Sequence, residues 1–312
     1  MTAVARVFVT RRLVGDGLQR LTEAGHELDV WEERLPPPHA VLIERARNAD
    51  ALLCTLSDRI DAAFLETCSH LRVVASCAVG TDNIDVAAAA AHAIPIGNTP
   101  DVLTDATADL AFALLLAAAR RLPQSAQAVR DGAWGPWESA GFLGCDVAGS
   151  MLGIVGAGRI GQAVARRAAG FGLEVLATTR RGGTPLAELL ARSDFVSLHV
   201  PLTPSTHRLI DAAALARMKP TAILVNTARG AVVDTAALVD ALHAGTIAGA
   251  ALDVTDPEPL PPTHALLHAP NALVVPHIGS ATPRTRARMT ELAVDNVLAA
   301  LAGEPLPHAV TP

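Results

Sequence analysis

The run "LGIVGAGRIGQAVARRAAGFG", residues 152–172, restricts the fold more than any other part of the chain. Apolar residues lead into Gly156, Gly158 and Gly161 in GxGxxG spacing, and Ile160, Val164 and Ala168 then recur at helical intervals. Another apolar run follows from Glu174. Strand, glycine loop, helix and strand in that order make one βαβ crossover. The first glycine permits a tight turn, the second lets the backbone approach a pyrophosphate, and the third lets helix and strand pack closely. The helix N-terminus adds unpaired N–H groups and a partial positive charge for phosphates. The segment therefore predicts a dinucleotide-binding Rossmann unit.

The same alternation runs along most of the chain. Strand-like runs are expected at 4–9, 51–54, 72–76 and 94–96, then at 151–155, 174–177, 195–198, 223–226, 248–252 and 273–275. Short apolar runs between helical patterns predict parallel sheets covered on both faces, an α/β fold. The strands fall into two groups. A long helical pattern, 104–122, and the irregular stretch "DGAWGPWESAGFLG" separate them.

Composition narrows the class. The chain has 312 residues, enough for two domains, and half are hydrophobic. A formal net charge of −6 argues against a general nucleic-acid or membrane-surface binder. Cys54, Cys68, Cys77 and Cys145 form no CxxC pair and read as free thiols in a reducing, cytoplasmic compartment, with no metal site. The opening apolar run is too short for a signal peptide, and the run 110–119 is too short to span a bilayer.

Residues 175–183, "VLATTRRGG", mark the end of the strand about 20 residues past the glycines. The dinucleotide fingerprint expects an Asp or Glu there for the ribose 2′-hydroxyl. This chain has Thr179, Arg180 and Arg181. No carboxylate repels a 2′-phosphate, and two guanidiniums can bind one, so NADP(H) is the expected cofactor, with NAD(H) as the alternative.

Three polar residues interrupt apolar or glycine-rich segments later on: Arg229 in "LVNTARGAVVD", Glu258 in "ALDVTDPEPL" and His277 in "LVVPHIGSAT". Each follows a predicted strand, the end at which open parallel sheets bind ligands. Together they suit the reduction of a ketone beside a carboxylate. An imidazolium can protonate the developing alkoxide, a neighbouring carboxylate orients the ring, and a guanidinium holds the substrate carboxylate.

In these motifs the sequence resembles the D-2-hydroxyacid dehydrogenases and, within them, the glyoxylate/hydroxypyruvate reductases. The resemblance rests on "VASCAVGTDNIDV", "GAGRIGQAVARR", "LHVPLTPSTHRLI", "MKPTAILVNTARGAVVD", "ALDVTDPEPL" and "VVPHIGSAT", and it covers nearly the whole chain. It implies two doubly wound domains with a cleft between them. One is a discontinuous, flavodoxin-like substrate domain, 1–98 and 282–312, and the other a Rossmann cofactor domain, 99–281. It implies Arg229, Glu258 and His277 as the catalytic set, with His277 the acid in reduction. Leu56, Ser57, Val79, Gly80, Trp134 and Ser280 would join Arg229 and His277 around the substrate. Thr107, Gly156, Gly158, Arg159, Ile160, Gly161, Thr179, Arg180, Arg181, Pro201, Thr227, Asp253 and Gly279 would contact the cofactor. A homodimer is implied, in which Trp134 or Trp137 reaches the neighbouring subunit.

The resemblance also narrows the substrate. Phosphoglycerate-type relatives place a basic residue near Leu56, and formate-type relatives carry Gln where Glu258 stands, so neither substrate fits. A small 2-keto acid such as glyoxylate or hydroxypyruvate is expected. Phenylpyruvate-type acids and a dinucleotide-sensing corepressor remain as alternatives.

Overall fold

Alternate residues of the central strands belong to opposite apolar cores, the pattern of parallel sheets covered on both faces. A computed structural model describes residues 4–311; Met1–Ala3 and Pro312, the outermost parts of the expected domain ranges and of the opening run, lie outside it. The chain divides into two compact units. One extends to Leu103 and resumes at Ser280, and the other is Thr104–Gly279. These divisions fall a few residues from the 98/99 and 281/282 boundaries expected from the sequence.

In the first unit, β1 (Arg6–Val9), β2 (Glu27–Val30), β3 (Ala51–Cys54), β4 (Val73–Ser76) and β5 (Ile96–Gly97) form a parallel sheet in the order β2-β1-β3-β4-β5. Helices α1 (Gln19–Glu23), α2 (His39–Ala46), α3 (Ala62–Thr67) and α4 (Val86–Ala91) connect these strands. Phe8, Leu52, Cys54 and Val74 face one core with Leu42 of α2 and Phe64 of α3. Val7, Val9, Leu53 and Ala75 face the other, which is closed by Ala293, Val294, Val297 and Leu301 of the last helix. Asp61 and Asp85 cap α3 and α4 by accepting the N–H groups of Phe64 and Ala88.

The second unit begins with α5 (Thr104–Ala119) and α6 (Leu122–Arg130), split at Arg121, whose φ is +51°. Then come β6 (Met151–Val155), α7 (Arg159–Gly170), β7 (Glu174–Thr179), β8 (Gly182–Gly183), α8 (Leu186–Arg192) and β9 (Phe195–Leu198). The unit ends with α9 (Ala212–Leu215), β10 (Ile223–Asn226), α10 (Thr235–His243), β11 (Gly249–Leu252) and β12 (Ala272–Val274), after which α11 (Pro283–Ala302) returns to the first unit. The sheet order is β12-β11-β10-β9-β6-β7-β8, parallel except for β8. Leu152, Ile154, Val225 and Ala251 pack on α5 and α7, while Leu198, Leu224 and Leu252 pack on the α8–α10 side. Among the described residues no helix is long and apolar enough to cross a membrane.

Two strands were not expected. β2 reads "ELDV", an edge strand with polar residues at alternate positions, and β8 is two glycines hydrogen-bonded back onto β7. "DGAWGPWESAGFLG" contains neither helix nor strand, and it leaves Trp134 76 % and Trp137 87 % exposed.

Candidate functional site

The three polar residues singled out late in the sequence occupy the loops after β10, β11 and β12 of the second unit. Asn226, the last residue of β10, is buried and shapes the first loop. Its side-chain amide donates to the Arg229 carbonyl at 2.9 Å, and its Oδ1 accepts the Ala228 N–H at 3.0 Å. Gly230 then lies against the next loop so closely that a Cβ there would overlap the Thr255 carbonyl group. The absence of a side chain at Gly230 thus lets the Arg229 loop rest on the loop carrying Glu258. That loop is tied down by Thr235, whose hydroxyl donates to the Asp256 carbonyl at 2.8 Å, and by Thr255, whose hydroxyl donates to the Pro257 carbonyl at 2.8 Å. Glu258 stands between two prolines, each preceded by a cis peptide bond.

His277 and Glu258 meet. His277 Nδ1 is 2.6 Å from Glu258 Oε1, and Thr255 N–H donates to Oε2 at 3.3 Å. Partial burial alone would raise the Glu258 pKa. The His277 hydrogen bond and charge, the Thr255 N–H and the Arg229 guanidinium outweigh it and hold the carboxyl below its ordinary range. The arrangement leaves Nε2 as the ring nitrogen not committed to Glu258.

The backbone at His277 has φ +51°, a conformation a non-glycine residue rarely adopts. Asp253 holds it there. The Asp253 carbonyl accepts His277 N–H at 2.9 Å, while its carboxylate accepts Ile278 N–H at 2.6 Å and Gly279 N–H at 2.8 Å. Burial raises the Asp253 pKa against the opposing effect of those N–H groups and of His277. The resemblance implies a cofactor contact for Asp253 and Gly279; the structure shows that they also bind each other and fix the turn of His277. Sequence reasoning could not find this clamp, because 25 residues separate Asp253 from Ile278.

The glycine loop follows β6, next to β9 at the reversal of strand order. Gly156 has φ +99°, and a Cβ there would come within 2.6 Å of the His199 carbonyl oxygen. Only glycine fits that turn. Gly158 faces open space, and it is the N-cap of α7 without any side-chain cap. A helix start of this kind, with no side-chain cap, suits a pyrophosphate. Two buried polar atoms at the same sheet edge, His199 Nδ1 after β9 and Thr227 Oγ1 after β10, have no partner among the described residues. Pro201, also after β9, accepts the Thr206 hydroxyl at 2.6 Å, and Thr107 is buried in α5 against Gly279. These features fit a dinucleotide. Thr179 ends β7, and Arg180 and Arg181 form the exposed two-residue tip of the β7–β8 hairpin. The Thr179 hydroxyl closes that hairpin, donating to the Gly182 carbonyl at 2.9 Å and accepting Arg181 N–H at 3.2 Å.

His199 went unnoticed in the sequence. Burial pushes its pKa down to about 4, and its Nε2 pairs with Ser197 Oγ at 2.8 Å. In the unfolded chain the ring recovers its ordinary affinity for a proton. Stability is therefore expected to fall as pH drops from about 6.5 to about 4, by up to about 3 kcal/mol from this residue. His199→Gln should flatten that part of a urea-midpoint profile; an unchanged acid slope would assign the loss to other groups.

In the first unit, Leu56 and Ser57 follow β3, while Val79 and Gly80 follow β4. Asn98 donates to the Val79 carbonyl at 2.9 Å and orients that loop. Ser280 is the first residue of the returning segment, and its carbonyl accepts the Thr282 N–H at 2.7 Å.

Comparison with known proteins agrees with this fold. Residues 112–279 match the family described as D-isomer specific 2-hydroxyacid dehydrogenase, NAD binding domain. A glyoxylate reductase of Korarchaeum cryptofilum is 50 % identical, over 98 % of this chain and 95 % of its own length. The crystal structure of the TT0316 protein from Thermus thermophilus superposes with a TM-score of 0.92 at 51 % identity, covering 98 % of this chain and all of the other. An NADPH-dependent glyoxylate/hydroxypyruvate reductase from Sinorhizobium meliloti, solved with NADP and malonate, gives a TM-score of 0.84 at 34 % identity, covering 99 % of this chain and 97 % of the other. Fold, glycine loop and sequence similarity along the whole chain lead to one assignment: the protein belongs to the D-isomer-specific 2-hydroxyacid dehydrogenase family of NAD(P)-dependent oxidoreductases.

Proposed function

We propose that this enzyme reduces a small 2-keto acid, glyoxylate or hydroxypyruvate, to the D-2-hydroxy acid, glycolate or D-glycerate, with NADPH as the preferred reductant. The observation that carries the reading is the 2.6 Å contact between His277 Nδ1 and Glu258 Oε1, with Arg229 on the adjoining loop. The names of the relatives point to the same substrates. Reduced nicotinamide supplies the hydride for C2. Arg229 binds the substrate carboxylate and polarises the carbonyl. His277 delivers the Nε2 proton to the carbonyl oxygen as negative charge develops there. Glu258 stabilises the imidazolium across Nδ1 and fixes the ring. Arg180 and Arg181 take the 2′-phosphate of NADP(H).

An assay of NADPH oxidation with glyoxylate and with hydroxypyruvate tests the proposal directly; a protein inert with both would end it. Arg229→Lys keeps the charge but loses the planar fork, so kcat/KM for glyoxylate is expected to fall about 10- to 150-fold, the worth of one charged hydrogen bond. Kinetics within twofold of the wild type would move the carboxylate site elsewhere.

The assembly we propose is a homodimer that covers the exposed Trp134, Trp137, Phe142 and Leu143. The four unpaired cysteines suit a cytoplasmic setting.

A further inference from the structure

The loops after β10 and β11 meet at two points, and Arg229, Thr235, Glu258 and His277 all belong to the second unit. At the first point Gly230 lies against the peptide between Thr255 and Asp256, with no room for a Cβ. At the second, Thr235 opens α10, and its hydroxyl donates to the Asp256 carbonyl at 2.8 Å.

Thr235 reaches out from a firm base. Asp234 caps α10 by accepting the Ala237 N–H at 3.2 Å, and its own N–H donates to the Ile210 carbonyl at 3.0 Å. Leu238, Ala241 and Leu242 bury the helix in the core. None of these contacts uses the Thr235 hydroxyl, so the capping and burial of α10 do not account for it.

What the hydroxyl holds is stiff. Pro257 and Pro259 have a fixed φ, and the residue before a proline is restricted in turn, which covers Asp256 and Glu258. Thr255 closes the segment on itself, its hydroxyl donating to the Pro257 carbonyl at 2.8 Å and its N–H to Glu258 Oε2 at 3.3 Å. Such a segment moves as one piece. A shift at the Asp256 carbonyl is passed on to the Glu258 carboxylate instead of being absorbed between them. Precision matters at that carboxylate, because Glu258 Oε1 stands 2.6 Å from His277 Nδ1. A charge-assisted hydrogen bond that short weakens when either partner is displaced.

We propose that Thr235 is a positioning residue for the reduction: its hydrogen bond to the Asp256 carbonyl sets the place at which the Glu258 carboxylate meets the His277 ring. The inference rests on the reductase reading above. Thr235 acts only through Glu258.

Thr235→Val keeps the branched shape and removes the donor, while Thr235→Ser keeps the donor. With glyoxylate and NADPH, Thr235→Val is expected to lower kcat about 3- to 10-fold, the worth of one net hydrogen bond, with KM for NADPH within about twofold of wild type. Thr235→Ser should stay near wild type. A general weakening of the fold also lowers kcat, and two readouts separate it. An ionised carboxylate only accepts, so the proton of the short contact sits on His277 Nδ1. In the enzyme without substrate or dinucleotide it gives a proton resonance far downfield of ordinary ring signals, identified by its loss in Glu258→Ala. That resonance should move upfield in Thr235→Val and hold its place in Thr235→Ser. In a Glu258→Ala background, Thr235→Val should cost nothing further, since the group it positions is gone. The full loss persisting in that background, or an unmoved resonance, overturns the proposal. So does a kcat for Thr235→Val equal to that of wild type. Failure of the reductase reading looks different: the wild type oxidises no NADPH with glyoxylate or hydroxypyruvate.

Discussion

Replacing His277 with Ala is expected to cut the rate of 2-keto acid reduction about 10²–10⁴-fold, the usual contribution of a general acid, while dinucleotide binding stays intact. His277 and the glycine loop lie on different loops of the second unit. The imidazole contacts Glu258, whereas the cradle around Gly156 and Gly158 is built from the loop after β6. The turn should also survive the substitution, because it is held by backbone N–H groups bonded to Asp253. His277→Asn is a useful companion, since Asn tolerates the left-handed backbone at this position better than Ala. Single-turnover kinetics at saturating NADPH, with cofactor affinity measured by fluorescence, distinguish the outcomes. Normal turnover accompanied by lost cofactor binding would remove His277 from the role of acid.

The second large effect is expected at the hairpin tip. Thr179→Asp combined with Arg180→Ala should reverse the cofactor preference, changing the NADPH-to-NADH ratio of kcat/KM roughly 10²–10³-fold. One charged hydrogen bond to the 2′-phosphate contributes about 1.5–3 kcal/mol, or about 10- to 150-fold, and the new carboxylate adds repulsion. An aspartate at 179 can still accept Arg181 N–H, as the threonine does, but it gives up the donation to the Gly182 carbonyl. Ionic strength must be fixed, because exposed charges are screened. A wild-type enzyme that already prefers NADH would make Arg180 and Arg181 no more than a solvated turn.

The strands that form the centre of each sheet were legible because a parallel strand buried on both faces is apolar at most positions. β3, β6, β9 and β10 lie where their apolar runs lie. β2 and β8 were not legible, since an edge strand need bury only one face and a pair of glycines carries no pattern at all. The same division holds at the site. Arg229, Glu258 and His277 stood out as polar residues after apolar runs. The groups that support them did not, because their partners are remote in sequence. Asp253 binds the turn of His277, and Gly230 makes room beside Thr255. No local periodicity encodes contacts of that kind.

The return of α11 to the first unit orders events on the ribosome. The second unit is one continuous stretch, so all its strands and helices have been made before α11 appears. The first unit begins earlier but finishes later. The face of its sheet that carries Val7, Val9, Leu53 and Ala75 is covered only in part, by Leu21 of α1 and its neighbours, until Ala293, Val294, Val297 and Leu301 emerge. At about 5–20 residues per second, the stretch between Leu103 and α11 takes roughly 10–40 s to synthesise. For that interval the nascent chain carries a half-covered apolar sheet face while the dinucleotide unit can already fold. The domain begun first closes last, and a chaperone that shields the nascent chain has that face to hold.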